Sequence, residues 1–215
     1  PEAFGDLLPA QPANKSIEEP KVKFNKIILL PGSRRSEISL ILPAMLTATA
    51  IIKRHDPNVN FVLPAVPHLL PLIERLVEGS GVSILDQPED LIPALQTSDA
   101  MIATSGTITL QAAFCGTVGV TCYRTSAFSG FIGRRLVDLD KVILPNAILG
   151  RPLYPFYFQE AATGKTLAAA TLDCLDDANA KSIAKQAAIE LKSLLTGGAQ
   201  SFDELVISAL KNWLD

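Results

Sequence analysis

The sequence predicts an α/β fold: a doubly wound parallel sheet, Rossmann-like, with helices on both faces. Three observations carry this. Short apolar runs alternate with longer segments of helical period, the runs are apolar throughout instead of at every second residue, and Gly or Pro closes most of them. Composition agrees: of 215 residues, 48% are hydrophobic and 19% charged, against roughly 25% charged in typical soluble domains. Most of the chain must therefore bury a core, and disorder is excluded for most of its length.

Residues 1–24 are rich in Pro, Ala, Lys and Glu and have neither helical nor strand period, which reads as a linker or the trailing end of another unit. Pro1 in place of Met adds the expectation of a piece of something larger. Residues 25–215 form the regular part. KIILL (Lys26–Leu30) is a buried strand closed by Pro31-Gly32, followed by a helix from about Ser36 to Arg54 that contains Pro43. NFVLPAV (Asn60–Val66) is the next strand, and Pro67–Gly79 the next helix, stopped by Gly79 and Gly81. Strand Val82–Leu85, helix Glu89–Gln96, strand Asp99–Thr104 and helix Thr107–Cys115 follow. The pattern then gives strand Val118–Tyr123, a helix near Ala127–Val137 and strand Lys141–Pro145. Helices near Lys165–Leu175, Ala180–Leu195 and Ser201–Trp213 close the chain.

Several function classes drop out. A net charge of −3 leaves no electrostatic footprint for nucleic acid. Cys115, Cys122 and Cys174 form no CxxC pair, and His55 and His68 lack the company of other ligands, so neither a zinc site nor a disulfide framework is expected and a reducing cytoplasm is. The mean hydropathy of +0.27 raises the membrane question. Ala100–Tyr123 carries no formal charge and has the length of a span, but its centre holds Thr104, Ser105, Gly106, Thr107, Thr109 and Gln111. It reads as strand, turn, helix, turn and strand, with no span and no signal peptide expected in the chain.

Ligands of open parallel sheets bind beyond the carboxyl ends of the strands, near the point where strand order reverses. After the first strand, Gly32 permits close backbone approach, Ser33 and Ser36 can donate or cap, and Arg34 offers a charged planar fork beside a helix N-terminus. The bland alternative is a helix-start turn in which Arg34 pairs with Glu37. The spacing is not that of a Walker loop, and Gly164-Lys165-Thr166 fails the same test because Gln159 stands where Gly is needed. After the strand ending at Thr104, Ser105-Gly106-Thr107 opens a helix and suits a diphosphate, with Gln111 one turn on and able to accept a ribose hydroxyl. A plain hydroxyl cap is the competing reading. Asn146 in LPNAILG places a polar side chain at the same rim. Tyr123-Arg124, then Phe128, Phe131, Ile132, Arg134 and Arg135, form a basic amphipathic stretch suited to an anionic membrane surface or an acyl chain. Tyr154–Phe158 is an aromatic cluster that packs on the core or on a partner domain.

These loops resemble those of the lipid-A-disaccharide synthase family, glycosyltransferases of the two-domain GT-B type. The matching stretches are LLPGSRRSEI (Leu29–Ile38), ATSGTITLQAAFCG (Ala103–Gly116), CYR (Cys122–Arg124), LPNAILGR (Leu144–Arg151) and the FQE at Phe158–Glu160. The resemblance runs from about Asn25 to the C-terminus and corresponds to the family's donor-binding C-terminal half. It implies transfer of 2,3-diacylglucosamine from UDP-2,3-diacylglucosamine to the lipid-linked acceptor 2,3-diacylglucosamine 1-phosphate, releasing UDP, with inversion, in lipid A biosynthesis. It also implies a cytoplasmic protein, peripheral on the inner face of the inner membrane of Gram-negative bacteria. A homodimer enters through the exchange of C-terminal segments between family members. No metal and no cofactor are expected: Arg34 and the amides of Ser105, Gly106 and Thr107 would stabilise the departing diphosphate. By resemblance Arg34 and Asn146 are catalytic, and Gly32, Ser33, Tyr123, Arg124, Asn146 and Gln159 hold the donor with them. Gln111 stands where the family has Glu, so the ribose bond forfeits its charge assistance. The family's N-terminal half, with acceptor site and general base, is absent from these residues, so donor binding without transfer is expected. The alternatives are a UDP-N-acetylglucosamine 2-epimerase or other GT-B enzyme, and a non-catalytic nucleotide-binding module. A dehydrogenase is disfavoured, since GxGxxG is missing after the first strand.

Overall fold

Why the first apolar run is buried on both sides is plain from its side chains. Ile27 and Leu29 enter one core cluster and Ile28 and Leu30 the other, each at most 5% exposed. The structure is a computed structural model and describes residues 26–125 and 142–196. The expected linker at 1–24, the expected helices near 127–137 and 201–213, and Phe128, Phe131, Ile132, Arg134 and Arg135 lie outside the described residues.

Six strands make one sheet: β1 (Lys26–Leu30), β2 (Asn60–Pro64), β3 (Val82–Leu85), β4 (Ala100–Thr104), β5 (Gly119–Tyr123) and β6 (Phe156–Phe158). Their order is β3-β2-β1-β4-β5-β6, and every neighbouring pair is parallel. The chain winds outward from β1 to β3, returns to lay β4 on the other side of β1, and continues to β6. Strand order therefore reverses between β1 and β4. This is the expected doubly wound sheet, and in such sheets ligands bind at that reversal.

Helices cover both faces. α1 (Arg35–His55), α2 (Leu70–Val77) and α6 (Gly164–Asp176) pack on the side of Ile27 and Leu29, whereas α3 (Leu91–Thr97), α4 (Thr107–Phe114), α5 (Leu144–Leu149) and α7 (Ala180–Thr196) pack on the other. By length and composition α1 is apolar enough to cross a membrane. Here it lies on the sheet, with Ile38, Ile41, Leu42, Met45 and Ile52 no more than 1% exposed. Each such side chain contributes roughly 1.5–3 kcal/mol by leaving water. Pro43 sits on its exposed side, where the Thr47 hydroxyl donates to the Pro43 carbonyl at 2.9 Å. Ala100–Tyr123 folds as β4, α4 and β5, as its polar centre required.

One element is corrected. The strand expected over Lys141–Pro145 is not formed by its described residues, 142–145: Leu144–Leu149 is α5, with Pro145 in its first turn, where a missing N–H costs nothing. The sixth strand comes instead from the aromatic cluster, Phe156–Phe158, which pairs with Thr121–Tyr123 of β5. Tyr154 of that cluster is a core residue, 1% exposed, its hydroxyl donating to the Thr117 carbonyl at 2.8 Å.

Candidate functional site

A cavity of about 570 Å³ opens where the strand order reverses, at the C-terminal ends of β1, β4 and β2. One wall is the loop after β1, from Pro31 to Arg34, with Glu37 from the first turn of α1. The opposite wall runs from Thr104 to Ile108, with Gln111. The segment from Pro64 to Pro67 and Gln87 close the third side.

α1 and α4 start at this cavity, and neither is capped by a side chain. Arg34 is the N-cap of α1 and Gly106 the N-cap of α4. The first amides of a helix have no partner within it and carry partial positive charge, so two uncapped starts facing one cavity form a seat for anionic oxygens. The Gly164-Lys165-Thr166 turn shows the contrast: Thr163 caps α6, accepting from the Thr166 amide at 3.1 Å. Ser105 and Thr107 do not act as hydroxyl caps, so that competing reading fails at α4.

Backbone shape explains the two glycines. Gly32 has φ +104°, and a Cβ there would collide with the Glu37 side chain. Gly106 has φ +138° and ψ −171°, a region open essentially to glycine alone. Each lets the chain turn from strand to helix at the edge of the cavity.

Charge is concentrated on the β1 side. Arg34 Nη1 donates to Glu37 Oε1 at 2.8 Å, with 76% of the Arg34 side chain exposed and 9% of the Glu37 side chain. The pairing that competed with a ligand role for Arg34 is thus present, yet the guanidinium remains accessible and both residues line the cavity. Tyr123, at the end of β5, is close enough to feel the pair: burial pushes its phenol up, Glu37 adds to the shift and Arg34 opposes it. Among the described residues no cluster of three metal-ligating side chains occurs.

Gly32, Ser33, Arg34, Ser105, Gly106, Thr107 and Gln111 are all brought together around the cavity. Tyr123, Arg124, Asn146 and Gln159 are not in its lining. Gln159 has φ +52° and accepts from the Thr125 amide at 3.3 Å through Oε1, which ties the end of β5 to the turn after β6. Arg124 has a buried Nε with no partner. Asn146, expected at the rim, is buried at 8% exposure. Its Nδ2 donates to the Tyr154 carbonyl at 2.8 Å, and its Oδ1 accepts from the Leu153 and Tyr154 amides at 3.0 Å each. These bonds hold the approach to β6. Thr104 and Glu37 were not read as site residues. The signal for Thr104 was a polar residue ending an otherwise apolar strand.

The cysteines lie away from the cavity lining. Burial pushes the Cys122 thiol up to about 12, with Arg124 pulling the other way. Alkylation needs the thiolate, so iodoacetamide at pH 8 should leave Cys122 unmodified in the folded chain and modify it in urea. Mass spectrometry of both samples checks this.

The family model described as lipid-A-disaccharide synthetase matches residues 4–209. The chain belongs to that family. Among its relatives, the lipid-A-disaccharide synthase of Nitrosococcus oceani is 32% identical over 185 residues, covering 85% of this chain and 48% of the relative. That of Burkholderia lata is 40% identical over 162 residues, covering 73% and 41%. The chain thus spans about half the length of the lipid-A-disaccharide synthases it matches. Solved structures agree on the fold. A spinosyn rhamnosyltransferase, SpnG, complexed with thymidine diphosphate has TM-score 0.53 at 18% identity, covering 87% of this chain and 45% of its own. A mutant of S. aureus TarM solved with UDP among its ligands has TM-score 0.52 at 11% identity, covering 89% and 35%. The lipid-A-disaccharide synthetase domain seen here is accordingly an α/β fold of the GT-B glycosyltransferase kind.

Proposed function

We propose that this chain is the donor-binding half of a lipid-A-disaccharide synthase and that its cavity holds UDP-2,3-diacylglucosamine. The whole enzyme would transfer the diacylglucosamine to 2,3-diacylglucosamine 1-phosphate and release UDP, acting at the cytoplasmic face of the inner membrane. The observation that carries the reading is the convergence of two uncapped helix starts, α1 and α4, on one cavity beneath Arg34. Charge on a departing diphosphate builds up in the transition state, and preorganised amides and a guanidinium stabilise it without a metal. Family membership supports the choice of nucleotide and sugar. The diphosphates bound by SpnG and TarM support the class of ligand. Gln111 lies on the α4 wall of the same cavity, and in this reading it accepts from the ribose. About half of each relative's length has no counterpart in these residues, and the acceptor site and general base belong there in this reading. These 215 residues therefore bind the donor nucleotide without completing transfer, and residues 25–215 suffice for that binding.

The test is Arg34→Ala. It should weaken UDP binding by about 1.5–3 kcal/mol, the usual worth of a hydrogen bond to a charged group, with no dependence on EDTA. Unchanged affinity in calorimetric titration would place the diphosphate elsewhere, and loss of binding in EDTA would require a metal.

A further inference from the structure

Six buried threonines occur among the described residues: Thr49, Thr104, Thr109, Thr117, Thr121 and Thr171. Five of them donate their hydroxyl to a main-chain carbonyl, at Leu46, Gly106, Leu95, Pro155 and Leu167 respectively. Thr104 does not. Its Oγ1 is buried without a partner, and the residue is 2% exposed. An unpaired buried hydroxyl lowers stability, and folded chains rarely keep one without a use. The position of this one is specific. Thr104 is the last residue of β4, it lines the cavity, and it stands between the Pro31–Arg34 loop and the uncapped start of α4.

We infer that Thr104 is a ligand-binding residue, its hydroxyl donating to a diphosphate oxygen of the nucleotide seated against the α4 helix start. This rests on the UDP-binding reading above and adds to it a residue at the floor of the site. The helix start supplies amides and the Arg34 side supplies charge. Thr104 supplies a donor from the strand itself, which is paired on both sides by β1 and β5. A hydroxyl with no partner among the described residues gains its bond when the ligand arrives.

Thr104→Val keeps the shape and removes the donor. Calorimetric titration with UDP should show affinity roughly tenfold lower in Thr104→Val, the size of one hydrogen bond to a charged group. Thr104→Ser should restore it to within about threefold. The melting temperature of Thr104→Val should equal or exceed that of the parent, because an orphan donor has been removed. Parent-like UDP affinity in Thr104→Val would overturn the inference while leaving the UDP reading intact, and so would equal weakening in Thr104→Ser and Thr104→Val. Absence of saturable UDP binding by the parent chain would overturn the reading, and the inference with it.

Discussion

Gly32→Val is expected to abolish measurable UDP binding, with affinity at least roughly a hundredfold below the parent. Two effects act at once. The φ of +104° is strained for any residue with a Cβ, at a cost of about 1–3 kcal/mol. The added side chain also occupies the place of the Glu37 side chain. Relief requires either the loop or Glu37 to move, and Glu37 is what holds Arg34 at 2.8 Å over the cavity. Both escapes displace the guanidinium or the α1 amides. The apolar side of α1, from Ile38 to Ile52, remains anchored, so circular dichroism should report a folded chain. Binding within threefold of the parent would show that the β1 loop does not touch the ligand.

Asn146→Ala should act in the opposite way, on stability and not on affinity. The substitution strands the Leu153 and Tyr154 amides and the Tyr154 carbonyl in a buried setting. Together these cost about 2–4 kcal/mol, or roughly 5–15 °C in melting temperature for a domain of this size. UDP affinity measured well below the melting transition should stay within about twofold of the parent. The family resemblance of the LPN loop implies a donor contact at Asn146; a large loss of affinity at unchanged stability would restore that role.

The contrast between these two residues shows what the sequence made legible. Gly32, Arg34 and the Ser105–Thr107 turn were readable because each follows a strongly apolar strand and opens a helix, and strand ends in a parallel sheet share one edge. Burial on both faces makes those strands continuous apolar runs, so β1, β2 and β4 stand out. β6 did not. It has only three residues, Phe156–Phe158, held by pairing with β5 and by its approach through Asn146. Val142-Ile143 has the apolar character of a strand but pairs with no strand among the described residues, and a helix starts at Leu144. Whether Asn146 faces a ligand or its own chain depends on residues seven and eight positions downstream, which no local pattern encodes. Thr104 was hidden for a related reason: a threonine at a strand end is ordinary, and its missing hydrogen bond is a property of the packed structure.

The central claim is that the cavity between β1 and β4 receives a nucleoside diphosphate on two helix starts. Calorimetric titration of the chain with UDP in EDTA, with NAD as control and Arg34→Ala alongside, tests it most directly. Saturable UDP binding that NAD does not reproduce and that Arg34→Ala weakens by about tenfold or more is the expected result. Equal binding of UDP by the parent and Arg34→Ala, or no UDP binding by a folded parent, would contradict it.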